Sequence, residues 1–132
     1  MVSVTIKHLR LKYEKDYILD DFNLQVEDGE ILVLLGESGS GKSTLLKIIA
    51  GILPAERGEI FFNQNLINPV PPQKRSVGYV PQSQVLFPHM TVNKNIQFGL
   101  KIKKPNAAQN TKHFKKIVQL TELNNLLDRY RS

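Results

Sequence analysis

The stretch that most constrains this chain is a continuously apolar run, Ile31-Leu32-Val33-Leu34-Leu35. It passes directly into Gly36-Glu37-Ser38-Gly39-Ser40-Gly41-Lys42-Ser43-Thr44. An unbroken apolar run of that length predicts a strand covered on both faces, as in a central parallel sheet. The loop after it fits the spacing G-x-x-x-x-G-K-[ST]. Its glycines let the backbone curl so that successive N–H groups point inward at an anion. Behind the loop, Leu45, Ile48, Ile49 and Ile52 recur at helical spacing, and Gly51 and Pro54 close the pattern. They predict an amphipathic helix whose positive dipole end faces that anion. Strand, loop and helix in this order specify a phosphate cradle formed by Gly36, Glu37, Ser38, Gly39, Ser40 and Gly41. Lys42 reaches the outer phosphates, the Ser43 hydroxyl suits Mg2+, and Thr44 adds a deeper hydroxyl contact.

Before the run the chain reads as strands. Val2, Val4 and Ile6 alternate with polar neighbours, then the phase slips and Leu9, Leu11 and Tyr13 alternate instead, so a bulge or bend is expected near His8. Phe22, Leu24 and Val26 form a second alternating run, closed by the turn dipeptide Asp28-Gly29. Gly58–Phe62 and Ser76–Val80 read as further strands. They flank the loop Asn68–Lys74, where Pro69, Pro71 and Pro72 forbid regular structure. From Thr91 the texture turns helical, with Val92, Ile96 and Leu100 on one face and Phe114, Ile117, Val118 and Leu120 on another. The change of texture at Phe87–Met90 divides the chain into a core over 1–88 and a helical part over 89–132.

Composition narrows the function classes. With no cysteine, disulfides, thiolate metal sites and cysteine nucleophiles are excluded together. His8, His89 and His113 are too scattered for a metal site. No apolar stretch approaches the ~20 residues a membrane-crossing helix needs, so a membrane role has to come through a partner. The net charge of +6, from 18 basic and 12 acidic side chains, is unevenly placed. Ten basic and ten acidic groups cancel over 1–100, and eight against two over 101–132 leave the whole excess there. Only Phe114 interleaves the basic run Lys101, Lys103, Lys104, Lys112, Lys115 and Lys116, which leaves no stacking platform for nucleic acid. Lys112, Lys115 and Lys116 fall opposite an apolar helical stripe and read as a solvated face.

Several further motifs stand in order around the loop. They are Leu19-Asp20-Asp21-Phe22-Asn23-Leu24, Gly29-Glu30, Gly58-Glu59-Ile60, Arg75-Ser76-Val77-Gly78-Tyr79-Val80-Pro81-Gln82, and Leu86-Phe87-Pro88-His89-Met90-Thr91-Val92. With them the chain, from about Ser3 to Arg129, resembles the ATP-binding subunit of an ABC transporter. The stretch from Pro71 to Val92 is similar to importers of molybdate, sulfate, iron or polyamines. The resemblance implies an α/β fold: a P-loop NTPase core with a mixed sheet, antiparallel at its N-terminal strands, followed by the start of a helical subdomain. It implies ATP and Mg2+ as cofactors. Tyr13 corresponds to the aromatic that stacks on adenine, with Tyr17 as the competing choice, and Ile18 packs near the base or ribose. Gln82 corresponds to the glutamine that ligates Mg2+ and orients the attacking water, so Lys42 and Gln82 are the catalytic candidates and Ser43 and Gln82 the metal candidates. Ser83–Met90 corresponds to the surface on which transmembrane permease subunits dock, with the protein peripheral on the cytoplasmic face of the membrane. Phe87 and Met90 fit such a contact patch or packing within the helical part equally well.

The resemblance also marks what these residues do not contain. The acids beyond Lys42 are Glu56, Glu59, Glu122 and Asp128, and none follows a four-residue apolar strand. An Asp holding Mg2+, a following catalytic Glu, the L-S-G-G-Q signature and the switch histidine are absent from this chain. Asn63-Gln64 stands where relatives carry a glycine for the turn. The chain therefore reads as the N-terminal part of a domain, with Ile31–Leu35 expected to expose an edge. The family's head-to-tail dimer cannot be completed by two such chains. Nucleotide binding with little or no hydrolysis is expected. A truncated, non-catalytic nucleotide-binding or partner-docking module is the alternative. A small-molecule P-loop kinase would need an arginine-rich lid, which the lysine-bearing helix after the loop does not supply.

Overall fold

The computed structural model describes residues 2–13, 16–83, 86–103 and 107–130, with the backbone alone at 13, 16, 101–103 and 107–109. Two compact units divide at Val80 and Pro81, and each is taken by itself.

The first unit is built on a four-stranded sheet in the order β2-β1-β3-β4, with β1 Val4–Tyr13, β2 Asp16–Val26, β3 Arg57–Phe62 and β4 Asn65–Leu66. Each pairing is antiparallel. The phase slip read near His8 is a bulge. From Ile6 to Leu9 the strand advances three residues while β2 moves only from Leu24 to Phe22. Against β3, Lys7 to Arg10 matches Glu59 to Arg57, so the same extra residue shows on both sides of β1. Leu11 then pairs with Leu19, and the extra residue in β2 restores the phase. His8 and Asp21 take left-handed backbone, with φ 52° and 53°. His8 Nδ1 lies 2.8 Å from Asp21 Oδ1, and the His8 N–H donates to Asn23 Oδ1 at 2.9 Å. The slip keeps Ile6 and Leu9 both inside, where strict alternation would turn one out.

Helix α1, Lys42–Ile49, lays Leu45 and Ile48 into a core with Ile6, Leu9, Leu19, Ile60 and Ile67. Burying each such side chain stabilises the unit by about 1.5–3 kcal/mol relative to leaving it in water. Gly51, at φ 78°, ends the helix. Its N–H donates to the Ile48 carbonyl at 3.0 Å and the Ile52 N–H to the Lys47 carbonyl at 2.8 Å. That is the Schellman pattern, and it leaves Ile52 exposed rather than on the buried stripe. Asn63 serves the β3–β4 turn in place of a glycine. It tolerates φ 54°, and its Oδ1 accepts the Ser3 N–H at 3.0 Å.

One part of the expected sheet does not form. Ile31–Leu35 and Ser76–Val80, read as strands, carry no ladder among the described residues, and the four strands that do pair are all antiparallel. Ile31 is 91% exposed, Leu35 89% and Val80 91%. A strand exists only when a neighbour takes its N–H and C=O groups, and neither segment has one here. Apolar composition alone cannot substitute for that neighbour.

The second unit holds α2 Val92–Lys103 and α3 Ala107–Leu120. Val118 is buried, whereas Leu120, read on the same apolar face, is 72% exposed and Ile117 is about half exposed. The chain beyond α3 returns to the start of α2. The Val92 N–H donates to the Arg129 carbonyl and the Asn93 N–H to the Leu127 carbonyl, each at 2.9 Å. Thr91 pairs with Tyr130 in a single bridge. No helix among the described residues is long and apolar enough to cross a membrane.

Candidate functional site

The loop from Gly36 to Gly41 enters α1 with left-handed backbone at Gly39 (φ 84°) and Gly41 (φ 88°), a conformation that disfavours any side chain with a Cβ. Gly41 is also sterically required. A Cβ there would lie 2.5 Å from Ile18 Cγ2 and 3.5 Å from the Ile18 carbonyl oxygen. Ile18 thus forms the wall against which the loop turns into the helix. The first intrahelical bond runs from the Leu45 N–H to the Gly41 carbonyl at 2.8 Å. Helix geometry therefore leaves the N–H groups of Lys42, Ser43 and Thr44 without intrahelical acceptors, at the positive end of the dipole.

Lys42 is folded back over the loop. Its ammonium donates to the Gly36 carbonyl at 2.8 Å, the Glu37 carbonyl at 2.6 Å and the Ser40 hydroxyl at 3.1 Å. All three ammonium donors are engaged, which holds the cation above the loop. A cavity of about 200 Å³ adjoins it, bounded by Leu19, Phe22, Leu34, Ser40, Lys42 and Leu45. Ser38 and Ser43 are exposed and Thr44 half-buried.

The other site residues are placed unequally. The Tyr13 side chain lies outside the described residues. The ring of Tyr17 is partly exposed, with Lys12 Nζ 4.5 Å and the Arg10 guanidinium 5.8 Å from its centroid. The Tyr17 hydroxyl beside it raises the Lys12 ammonium above its ordinary pKa. Gln82 is exposed and belongs to the second unit, whereas the phosphate loop belongs to the first. Of the segment Ser83–Met90, positions 84 and 85 lie outside the described residues. Phe87 packs its ring 4.5 Å from that of Phe98, so part of it serves the second unit's own packing. No group of three or more His, Asp or Glu side chains suited to a metal occurs among the described residues.

Two residues have structural roles that the sequence did not show. Arg75 fastens its guanidinium to four backbone carbonyls, and Asn95 clasps the turn before α2. Asn95 Oδ1 accepts the Phe87 N–H at 2.9 Å, and Nδ2 donates toward the carbonyls of Phe87, Met90 and Thr91, each at 3.1 Å. Arg75 opens the Arg75–Gln82 motif, but nothing in that motif pointed to backbone capping, and Asn95 sits in no motif.

A glycine-turned loop running into the N-terminus of a core helix, with its lysine over the turn, defines a P-loop core. Residues 19–131 match the ABC transporter family, and the chain belongs to that family. It is 39% identical over 130 residues to the sn-glycerol-3-phosphate import ATP-binding protein UgpC of Bartonella bacilliformis, covering 98% of this chain and 38% of that protein. The maltose/maltodextrin import ATP-binding protein MalK of Photorhabdus laumondii is 39% identical over 129 residues, covering 98% and 35%. The chain thus spans little more than a third of these relatives. Among solved structures, the post-hydrolysis dimer of the ATP-binding cassette MJ0796 bound to ADP and Pi is similar. It superposes with a TM-score of 0.80 at 25% identity, over 96% of this chain and 61% of that one.

Proposed function

We propose that this chain is the nucleotide-binding N-terminal portion of an importer-type ABC ATP-binding subunit, taking ATP with Mg2+ at the loop Gly36–Thr44. The observation that carries the reading is the donor set at the head of α1. The N–H groups of Lys42, Ser43 and Thr44 point out of the helix, and the Lys42 ammonium sits over a loop turned by Gly39 and Gly41. A polyphosphate is what such a set recognises. Lys42 would exchange its loop carbonyls for phosphate oxygens, Ser43 would ligate Mg2+, and Tyr13 or Tyr17 would stack on the base, with Ile18 near the base or ribose. When bound, Mg2+ neutralises charge on the outer phosphates.

ATP hydrolysis coupled to solute import, permease subunits docking through Ser83–Met90, and a peripheral place on the cytoplasmic face of the membrane belong to the whole subunit in this reading. The acids beyond Lys42 are Glu56, Glu59, Glu122 and Asp128, and none of them follows four apolar residues. The chain by itself is therefore expected to bind nucleotide with negligible turnover. Calorimetric titration of the chain with Mg·ATP, run beside Lys42→Ala, tests the reading. Saturable heat in the parent, weakened in the variant, supports it. No binding by a chain that melts cooperatively overturns it. Phosphate release abolished by Lys42→Ala would overturn the expectation of negligible turnover.

A further inference from the structure

The Arg75 guanidinium ties the far end of α1 to the loop that follows β4. Its Nη1 donates to the carbonyls of Ile48 at 2.9 Å and Ile49 at 3.0 Å, in the last turn of the helix whose first turn carries Lys42. Its Nε donates to the Val70 carbonyl at 2.8 Å and Nη2 to the Asn68 carbonyl at 3.3 Å. The Schellman turn at Gly51 already supplies donors to the Lys47 and Ile48 carbonyls, and the Arg75 fork extends that capping to Ile49. A cation at a helix C-terminus is favoured by the dipole, and only a planar fork serves two pairs of carbonyls in two directions. Gly51 is the residue that admits it. A Cβ at 51 would lie 2.6 Å from Arg75 Nε and 2.8 Å from Cζ.

The loop's other end is fixed to the sheet. Asn68 Oδ1 accepts the Ile60 N–H at 2.8 Å, and its Nδ2 donates to the Gly58 carbonyl at 3.1 Å. A cavity of about 110 Å³, bounded by Ile48, Leu53, Ala55, Ile60, Asn68 and Arg75, lies between sheet and helix. Residues 69–75 are therefore pinned to β3 at Asn68 and to α1 at Arg75, with space beside them. An eight-residue helix is a rod about 12 Å long, so a shift of its head is felt at its tail.

We propose that Arg75 is a positioning residue that passes the state of the phosphate loop through α1 to residues 69–80, the stretch of chain that runs on into Gln82. Anion binding at the head of α1 moves or stiffens the helix. The Ile48 and Ile49 carbonyls carry the guanidinium with them, and the guanidinium carries Val70. The inference rests on the nucleotide reading of the Gly36–Thr44 loop.

Amide hydrogen exchange on the whole chain, with and without saturating Mg·ATP, tests it beside a parallel calorimetric titration. In the parent chain nucleotide is expected to slow exchange both in 41–50 and in 69–78. Arg75→Lys keeps the charge but not the fork. It is expected to bind Mg·ATP with near-parent affinity, keep the slowing in 41–50 and lose it in 69–78. A merely structural cap would loosen 69–78 equally with and without nucleotide, leaving the nucleotide-induced difference intact, and that result overturns the inference. So does a parent chain that binds nucleotide with no change in 69–78. Absence of binding altogether fells the nucleotide reading first and the inference with it. Should Arg75→Lys not fold, Arg75→Gln takes its place under the same two outcomes.

Discussion

The Lys42 ammonium lies 2.6 Å from the Glu37 carbonyl oxygen, a contact that turns the cation onto the loop it is meant to serve. The same nitrogen also holds Gly36 and Ser40, so the loop is closed around its own lysine before any anion arrives. Binding then exchanges three existing contacts for phosphate contacts, and the net gain is smaller than the gross charge attraction. For Lys42→Ala we expect Mg·ATP affinity to fall by roughly 10–100-fold, the range of a charge-assisted hydrogen bond. The melting temperature should change little, because the site is at the surface. Titration calorimetry and thermal melts on the two chains check both statements.

Gly41→Ala should be worse for the fold than Lys42→Ala. The new methyl meets Ile18 Cγ2 at 2.5 Å and the backbone stays at φ 88°, so either the wall at Ile18 or the helix start has to move. A loss of about 1–3 kcal/mol is expected. The double variant Gly41→Ala with Ile18→Ala should recover part of it, since the clash goes while the strained φ remains. Denaturant unfolding of Gly41→Ala, Ile18→Ala and the double variant separates the two contributions.

Gly58 faces the bulge in β1. A Cβ there would lie 2.6 Å from Leu9 Cα and 2.7 Å from the His8 carbonyl oxygen, at φ 98°. Backbone cannot yield as a side-chain tip can, so Gly58→Ala is expected to cost more than 2 kcal/mol or to prevent folding. A stability within about 0.5 kcal/mol of the parent would show that the bulge relaxes freely.

Asn95→Ala removes a side chain that clasps the turn from Phe87 to Thr91. The Phe87 N–H loses its acceptor and three carbonyls lose a shared donor. We expect about 1–3 kcal/mol of local destabilisation, read as faster exchange at 87–92 with the first unit unaffected.

The bare apolar segment predicts behaviour in solution. Ile31 and Val33 are 91% and 69% exposed, side by side on an unpaired stretch of chain. Ile31→Lys with Val33→Lys should suppress concentration-dependent light scattering and leave the unfolding free energy within about 0.5 kcal/mol. A marked loss of stability would mean that these side chains are packed in solution.

Much of the first unit was legible because its periods are short and local. The slip between Val2-Val4-Ile6 and Leu9-Leu11-Tyr13 located the bulge at His8, and the G-x-x-x-x-G-K-S pattern located the loop that α1 follows. Arg75 stands at the head of a motif and Asn95 in none, and the bonds that either makes were not legible. Their partners are backbone carbonyls that become neighbours only on folding, and a carbonyl has no letter in the sequence.

By itself the sequence determined the loop and its place before a core helix, because glycine conformation and a lysine at fixed spacing depend on few distant contacts. Tertiary structure decided the rest. Ile31–Leu35 has every local property of a buried strand, yet no described segment pairs with it, and a strand is a relation between two segments. The Ile18 wall behind Gly41 and the Arg75 tie at the far end of α1 were decided the same way, by which backbone the fold brought within reach of which side chain.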